Sequence, residues 1–478
     1  MRRLVVAAAT AATLGTLGLT ATAQAQPAAR RAPTINGPAS AGIVVGIPTG
    51  FQEAATPNTA ACTWTITPAL PKTVTLGKGG TNKCTVVIDG VWTTPKTTTY
   101  MLKVTAGGAS TTKAIKVTAA ASPAENSATG VGSDTIQNVL DQFGADFNPT
   151  VGATATHLFS WDATNPLTGA IGDSIAEKSG CSPIARPNGS SAGITQLATF
   201  QKTSDGKFLC SSFARSSRAR GSSDPAFAPG GVAFVDLAGD AVTWSAQATT
   251  NAPATLTQAQ LASIYNCTVT DWGQVGGKAG NPIHAFIPQS GSGTRSFFLS
   301  AIGVAAPGSC VSDDSGLLEE NEGVNPVLND PNAIFPFSIG KYIAEKFHSN
   351  LCITTSTCAP NANGIRCTHT PGKNLFGCDT HGTMVLKQIN GVAPTTGSGA
   401  STVINSAFPA TFQRTVFEVV PFDPNTTDHI PGAEAGAPGG VNLEKLFGAS
   451  GFVCSNSKAK TDLRNYGFLV TPLCGVTG

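Results

Sequence analysis

Four short runs of glycine, serine and threonine, each placed where a strand-like run hands over to a helix-like one, constrain this chain most. The first is Gly130-Val131-Gly132-Ser133-Asp134-Thr135, ahead of helix-like residues 136–143. The second is Asn188-Gly189-Ser190-Ser191-Ala192-Gly193, ahead of residues 194–200, and the third is Phe213-Ala214-Arg215-Ser216-Ser217-Arg218. The fourth, Gln289-Ser290-Gly291-Ser292-Gly293-Thr294-Arg295, follows strand-like residues 284–287 and precedes helix-like residues 296–304. Glycine lets backbone N–H groups approach a ligand, a following helix adds the positive end of its dipole, and hydroxyls and arginine supply further donors. That is the chemistry of a small tetrahedral oxyanion site. One such run alone is more often a plain loop; four in one domain point to an open α/β sheet whose turns converge on a ligand.

The compartment follows from the chain's start. Arg2 and Arg3 precede a small apolar run, and Ala23-Gln24-Ala25 offers a cleavage site, so residues 1–25 read as a secretory signal peptide with the mature chain starting near Gln26. No cysteine stands at that point, so a lipid anchor is not expected, and no later apolar run is long enough to span a bilayer. The chain is therefore expected to be exported, periplasmic or extracellular. Its 12 cysteines, an even number, then read as disulfides. Local spacing suggests Cys62 with Cys84, Cys181 with Cys210, Cys267 with Cys310 and Cys454 with Cys474, leaving Cys352, Cys358, Cys367 and Cys378 for two more bridges. His369 and His381 lie near that last group, but its spacing lacks paired C-x-x-C knuckles, so no metal is expected. A net charge of +2 without a basic patch argues against nucleic acid as a partner.

Composition shifts near residue 122. Residues 31–120 read as short β-strands, among them 61–66, 84–88, 98–104 and 113–117, with a turn at Lys78-Gly79-Gly80. With one bridge, this is expected to be an immunoglobulin-like sandwich acting as a spacer or adhesive module. Residues 119–123 are its linker, and the mixed α/β part begins at about residue 126.

Residues 126–478 resemble the substrate-binding proteins of phosphate ABC transporters, which have a type 2 periplasmic-binding-protein fold. The four clusters come in that family's order. Pro253 to Thr257, Ile264-Tyr265-Asn266-Cys267 and Thr270-Asp271-Trp272 resemble its LT…L…I(F/Y)…W stretch, and Ser338-Ile339-Gly340-Lys341-Tyr342 resembles its SIGY segment with a lysine intervening. A cysteine-rich insertion at about 346–400 and the first part of the chain have no counterpart. The resemblance implies an α/β fold of two lobes: lobe one about 126–235 plus the C-terminal part, lobe two about 240–415, with an anion clamped between them. Inorganic phosphate or a similar oxyanion is the implied ligand and an ABC permease the implied partner, with no cofactor, no catalytic residue and a monomeric chain. The site residues it implies are Gly132, Ser133, Asp134 and Thr135, then Gly189, Ser190 and Ser191, then Ser216, Ser217 and Arg218, and finally Ser290, Ser292, Gly293, Thr294 and Arg295.

Two departures bear on selectivity. Ser217 stands where the family has the aspartate that accepts the proton of hydrogen phosphate, and Pro288 replaces its arginine. Asp134 offers a substitute carboxylate, or is a plain helix N-cap; Arg295 or Arg218 offers a substitute cation, or is a solvated loop charge. Without a carboxylate in the cleft, sulfate or molybdate becomes a ligand. Other readings stay open: a phosphate-ester hydrolase with Ser292 or Thr294 as nucleophile, although no histidine lies in the four loops, and a surface or matrix protein whose binding fold has lost its ligand. Trp161 and Trp272 read as packing residues, Phe297 and Phe298 as anchors of the helix after the fourth loop. The acids Asp313, Asp314, Glu319 and Glu320 read as the solvated surface of an insertion.

Overall fold

A computed structural model describes residues 32–37, 39–47, 49–56, 62–78, 84–166, 170–347, 358–361, 364–367, 381–432 and 440–478. The expected signal peptide lies outside the described residues, as do His348, His369, Cys352 and Cys378.

Alternation in the first part produces half-buried strands. In Cys62–Thr67 and Ala109–Ala120 every second side chain turns inward, as the two-residue period of a pleated strand requires. Eight strands form two sheets: β1 (Thr34–Asn36), β3 (Thr49–Thr56), β6 (Thr85–Gly90) and β5 (Val74–Lys78) in one, and β2 (Ser40–Val44), β8 (Ala109–Ala120), β7 (Lys96–Ala106) and β4 (Cys62–Thr67) in the other. Val86, Ile88, Trp92, Leu102, Ile115 and Val117 fill the space between them. The Cys62–Cys84 disulfide ties β4 to the residue before β6, and so one sheet to the other. The sandwich rests on the second part of the chain: Val44 and Ile47 pack with Val131, Trp161 and Ile175.

The second part is built on a curled mixed sheet. In spatial order its strands are β10 (Leu158–Ser160), β9 (Ala128–Gly132), β11 (Phe213–Ser216), β17 (Gln413–Pro421), β12 (Val232–Gln247), β15 (Ala333–Ser338), β13 (His284–Phe286) and β14 (Val311–Ser312), with β16 (Met384–Leu386) also pairing with β12. Strand β12 explains the two lobes. It is 16 residues long and almost continuously buried, as a strand covered on both faces must be. From Val232 to Ala241 it pairs with β17; from Val242 to Ser245 it pairs with β15. One strand thus belongs to two sheet halves, each with its own core. Ile136, Phe143, Phe213, Val235, Phe447 and Leu463 lie in one core, and Trp244, Leu261, Tyr265, Trp272, Phe298 and Ile343 in the other.

Among the helices that flank this sheet are α1 (Gln137–Phe147), α2 (Ser190–Leu197), α3 (Gln258–Tyr265), α4 (Gly293–Ile302) and α5 (Ile339–Phe347), with short helices over Glu444–Phe447, Phe452–Ser455 and Ser457–Asn465 packing on the first core. Helices α2 and α4 start earlier than the apolar periodicity suggests, because the Gly/Ser residues before that periodicity form their first turns. Disulfides join Cys181 to Cys210, Cys267 to Cys310 and Cys454 to Cys474. In the cysteine-rich insertion the backbone of Cys358–Asn361 pairs with that of Gly364–Cys367, Cys358 opposite Cys367; the bridges expected there involve side chains outside the described set. Among the described residues no helix is long and apolar enough to cross a membrane.

Candidate functional site

The four turns meet at one point, between the lobes; the third, at the end of β11, leads on to β12 and not into the helix expected from the sequence. Strand β9 ends at Gly132, whose φ of +120° suits glycine, and a Cβ there would lie 2.6 Å from the Arg215 carbonyl oxygen. Arg215, fully buried, donates from Nε to the Ser133 carbonyl (2.8 Å) and from Nη2 to the Gly132 carbonyl (3.0 Å), and so fixes the first turn from beneath. Gly189 lets the second turn touch the fourth: a Cβ there would come within 2.5 Å of the Gly291 carbonyl oxygen. A Cβ on Gly293 would lie 2.3 Å from Ser190 Oγ and 2.4 Å from Ser217 Oγ. Glycine at 293 therefore allows the fourth turn to close over the second and third.

At the meeting point stands a carboxylate of the chain itself. Glu320 Oε1 accepts from Ser133 Oγ (2.9 Å) and Thr135 Oγ1 (3.0 Å). Glu320 Oε2 accepts from the Thr294 backbone N–H (2.9 Å) and from Ser292 Oγ. Two donors come from the first lobe and two from the N-terminus of α4, where the helix dipole adds to the attraction. Burial opposes the ionisation of Glu320. A hydrogen bond from the Asp134 carboxyl, the Arg414 charge, the Ser292 hydroxyl and the Thr294 amide outweigh that cost, and hold its pKa at about 2. Asp134 bears the converse: burial first, then the Glu320 charge, raise its pKa well above the ordinary carboxyl value. The two shifts run in opposite directions: Glu320 is the carboxyl that favours its ionised form, and Asp134 the one that favours its neutral form.

The cation of the site is Arg414, at the start of β17. Its Nε donates to Asp240 Oδ2 (3.0 Å), Nη1 to the Ser217 carbonyl (2.8 Å) and Nη2 to Thr294 Oγ1 (3.1 Å), while its guanidinium carbon lies 5.5 Å from the Phe297 ring centroid. Asp240, in the middle of β12, also accepts from Ser338 Oγ (2.9 Å) and the Gly340 N–H (3.0 Å) at the start of α5. The strands that join the lobes thus carry the ion pair that supports the anion pocket.

The expected site residues divide into two groups. Ser133, Asp134, Thr135, Ser190, Ser217, Ser292, Gly293 and Thr294 are buried together, with Ser217 Oγ 3.0 Å from Ser133 Oγ and the Ser217 N–H 3.0 Å from Ser190 Oγ. The rest point elsewhere. Arg218 pairs with Asp224 (Nη2–Oδ1, 2.9 Å) and reaches Ser191 Oγ at 3.2 Å. Ser216 Oγ turns back onto the Arg218 carbonyl (2.7 Å), and Ser290 is exposed. Arg295 pairs with Asp313 (3.0 Å) and the Pro288 carbonyl (2.8 Å). Neither of the two cations offered as substitutes enters the cluster, because each is committed to a local acid.

The solvated-surface reading of Glu319 and Glu320 is corrected: they are 5% and 1% exposed and sit at the centre of the cleft. Glu319 accepts from Asn188 Nδ2 (2.8 Å) and Gln289 Nε2 (3.0 Å), and burial, then the neighbouring Glu322 charge, raise its pKa to about 8. Sequence reading missed Glu320, Arg414, Asp240 and Asn321. One signal for two of them was available, since Asp240 interrupts a long apolar run and Arg414 heads a β-branched one. Trp161, Trp272 and Phe298 are core residues.

A family model described as "PBP superfamily domain" matches residues 117–435. Among solved structures, this chain is similar to PstS from Borrelia burgdorferi (16% identity, 72% of this chain and 99% of that one, TM-score 0.35). It is also similar to a possible phosphate binding protein from Planctomyces limnophilus DSM 3776 (14% identity, 73% and 94%, TM-score 0.33). Titin domain M7 matches over 19% of this chain and 94% of its own, at 20% identity and a TM-score of 0.16. A comparison with curated proteins returned no match.

Proposed function

The chain belongs to the PBP superfamily, and from that premise we propose that it is an exported solute-binding protein that captures an inorganic oxyanion, phosphate foremost, between its two lobes. One observation carries this reading: the pocket where the four turns meet binds an oxyanion group, the Glu320 carboxylate, through three hydroxyls and a helix N-terminal amide. Such donors are indifferent to which oxyanion they hold, and a tetrahedral anion offers the same acceptor oxygens. Arg414 supplies the compensating charge. Asp134, kept protonated, can donate to an anion; deprotonated, it can accept from hydrogen phosphate, which sulfate cannot offer.

The immunoglobulin-like reading of residues 31–120 belongs to the same proposal, as a spacer that holds the binding lobes away from a surface. Uptake through an ABC permease is the process such a protein would serve. Calorimetric titration of the full chain and of its Glu320→Ala variant with phosphate, sulfate, arsenate and molybdate tests the binding function. Phosphate is expected to bind at least one of the two proteins more tightly than sulfate. Absence of binding by every oxyanion to both proteins would refute it.

A further inference from the structure

We propose that residues 318–321 form an internal competitor for the site, a strap whose Glu320 carboxylate fills the oxyanion pocket and must leave before a free anion can enter. The inference rests on the oxyanion-binding reading above and concerns how that site is regulated.

The strap reaches the pocket from the second lobe, downstream of β14. Leu318 anchors it in a core and its carbonyl accepts from the Gln289 N–H (2.9 Å). Each following residue then bridges the lobes. Glu319 joins Asn188, beside α2, to Gln289, before α4. Glu320 joins Ser133 and Thr135 to Ser292 and Thr294. Asn321 donates to Thr135 Oγ1 (3.1 Å) and accepts from the Ser338 N–H (3.0 Å). Its φ of +63° is left-handed, a conformation asparagine tolerates better than most residues. In this state the cleft is closed on the chain itself.

Two consequences follow from mass action. The donors that hold Glu320 are the donors a phosphate would need, so the two exclude each other. The apparent affinity for a free anion is then lowered by the fraction of molecules in which the strap is out. Removing the carboxylate removes the competitor while leaving every donor in place.

The test is phosphate binding by the full-length protein and by Glu320→Ala, with Glu320→Gln as the isosteric control and circular dichroism as the check on folding. Glu320→Ala is expected to bind phosphate at least about tenfold more tightly than the parent, a gain of about 1.4 kcal/mol, with Glu320→Gln between them. Equal affinity in the parent and Glu320→Ala would overturn the strap proposal alone. Weaker binding by Glu320→Ala would overturn it too, by showing that Glu320 contacts the bound anion. No binding of any oxyanion by any of the three sinks both readings. A second measurement does not depend on a variant. In stopped-flow mixing of the parent protein with phosphate, the observed rate is expected to level off at high phosphate, limited by departure of the strap. A rate that rises linearly throughout would contradict this.

Discussion

Among single residues, Arg414 and Asp240 carry more than the loops that first draw the eye. Their side chains are 2% and 0% exposed and their charged atoms lie 2.8 Å apart. A buried pair of this kind adds little net stability beside an apolar pair of the same shape, but losing one partner strands the other. Arg414→Ala is therefore expected to cost about 3–5 kcal/mol, read as a lower urea midpoint, because Asp240 keeps only hydrogen bonds from Ser338 and Gly340. The neighbouring serines show how position decides role. Ser216 ends the strand and Ser217 follows it, and one hydroxyl turns back onto its own turn while the other reaches the pocket.

For elements, the recurring device is a helix start that doubles as a donor array. Helix α4 is capped by Ser292, whose Oγ accepts from the Arg295 N–H at 3.0 Å while donating to Glu320. Helix α3 has the same kind of start. Thr257 Oγ1 accepts from the Gln260 N–H (3.1 Å), and Gln260 reaches back to the Thr257 N–H (2.8 Å). This is a capping box, whose worth is local. Thr257→Ala is expected to lower stability by about 1 kcal/mol and leave oxyanion affinity unchanged. A change in affinity would mean that α3 is coupled to the cleft. The turns were legible in sequence because glycine and hydroxyl runs recur at the ends of strand-like segments, three of them directly before a helix. The helix starts were misplaced by several residues because the cap itself is not apolar, so periodicity begins after it.

For the whole molecule, closure of the lobes traps acids away from water, and that links stability to pH. Glu319 is pushed up to about 8 from an unfolded value of 4.5. The folded form binds its proton more tightly, so the stability it contributes is complete below about pH 4.5 and is lost as pH rises through 8. Glu320 acts in the opposite sense: its stabilisation is complete above about pH 4.5 and is lost as pH falls toward 2. The melting temperature is therefore expected to decline from pH 5 to pH 8, at most at about 1.4 kcal/mol per pH unit for Glu319, and Glu319→Gln is expected to flatten that decline. An unchanged slope in Glu319→Gln would show that Glu319 titrates normally.

Sequence alone determined what local chemistry determines: strands from two-residue alternation, turns from glycine and serine, and disulfide partners from nearby cysteines such as Cys181 and Cys210. It also named the hydroxyls that gather in the cleft, most of which belong to a local strand-to-helix motif; Ser217 stands instead at the end of a strand that leads on to another strand. It named Asp134 among the acids, but not the other charged residues that join those hydroxyls. Arg218 and Arg295 sit beside the right loops but are held by Asp224 and Asp313. Arg414 and Glu320 come from segments with no motif, brought in by the crossover strands and by a strap reaching between the lobes. A charged side chain is placed by its long-range partners and by burial, and neither is written in the residues next to it. The site's donors were therefore present in the local sequence, whereas the cation beside them and the anion that occupies them were decided only when the two lobes met.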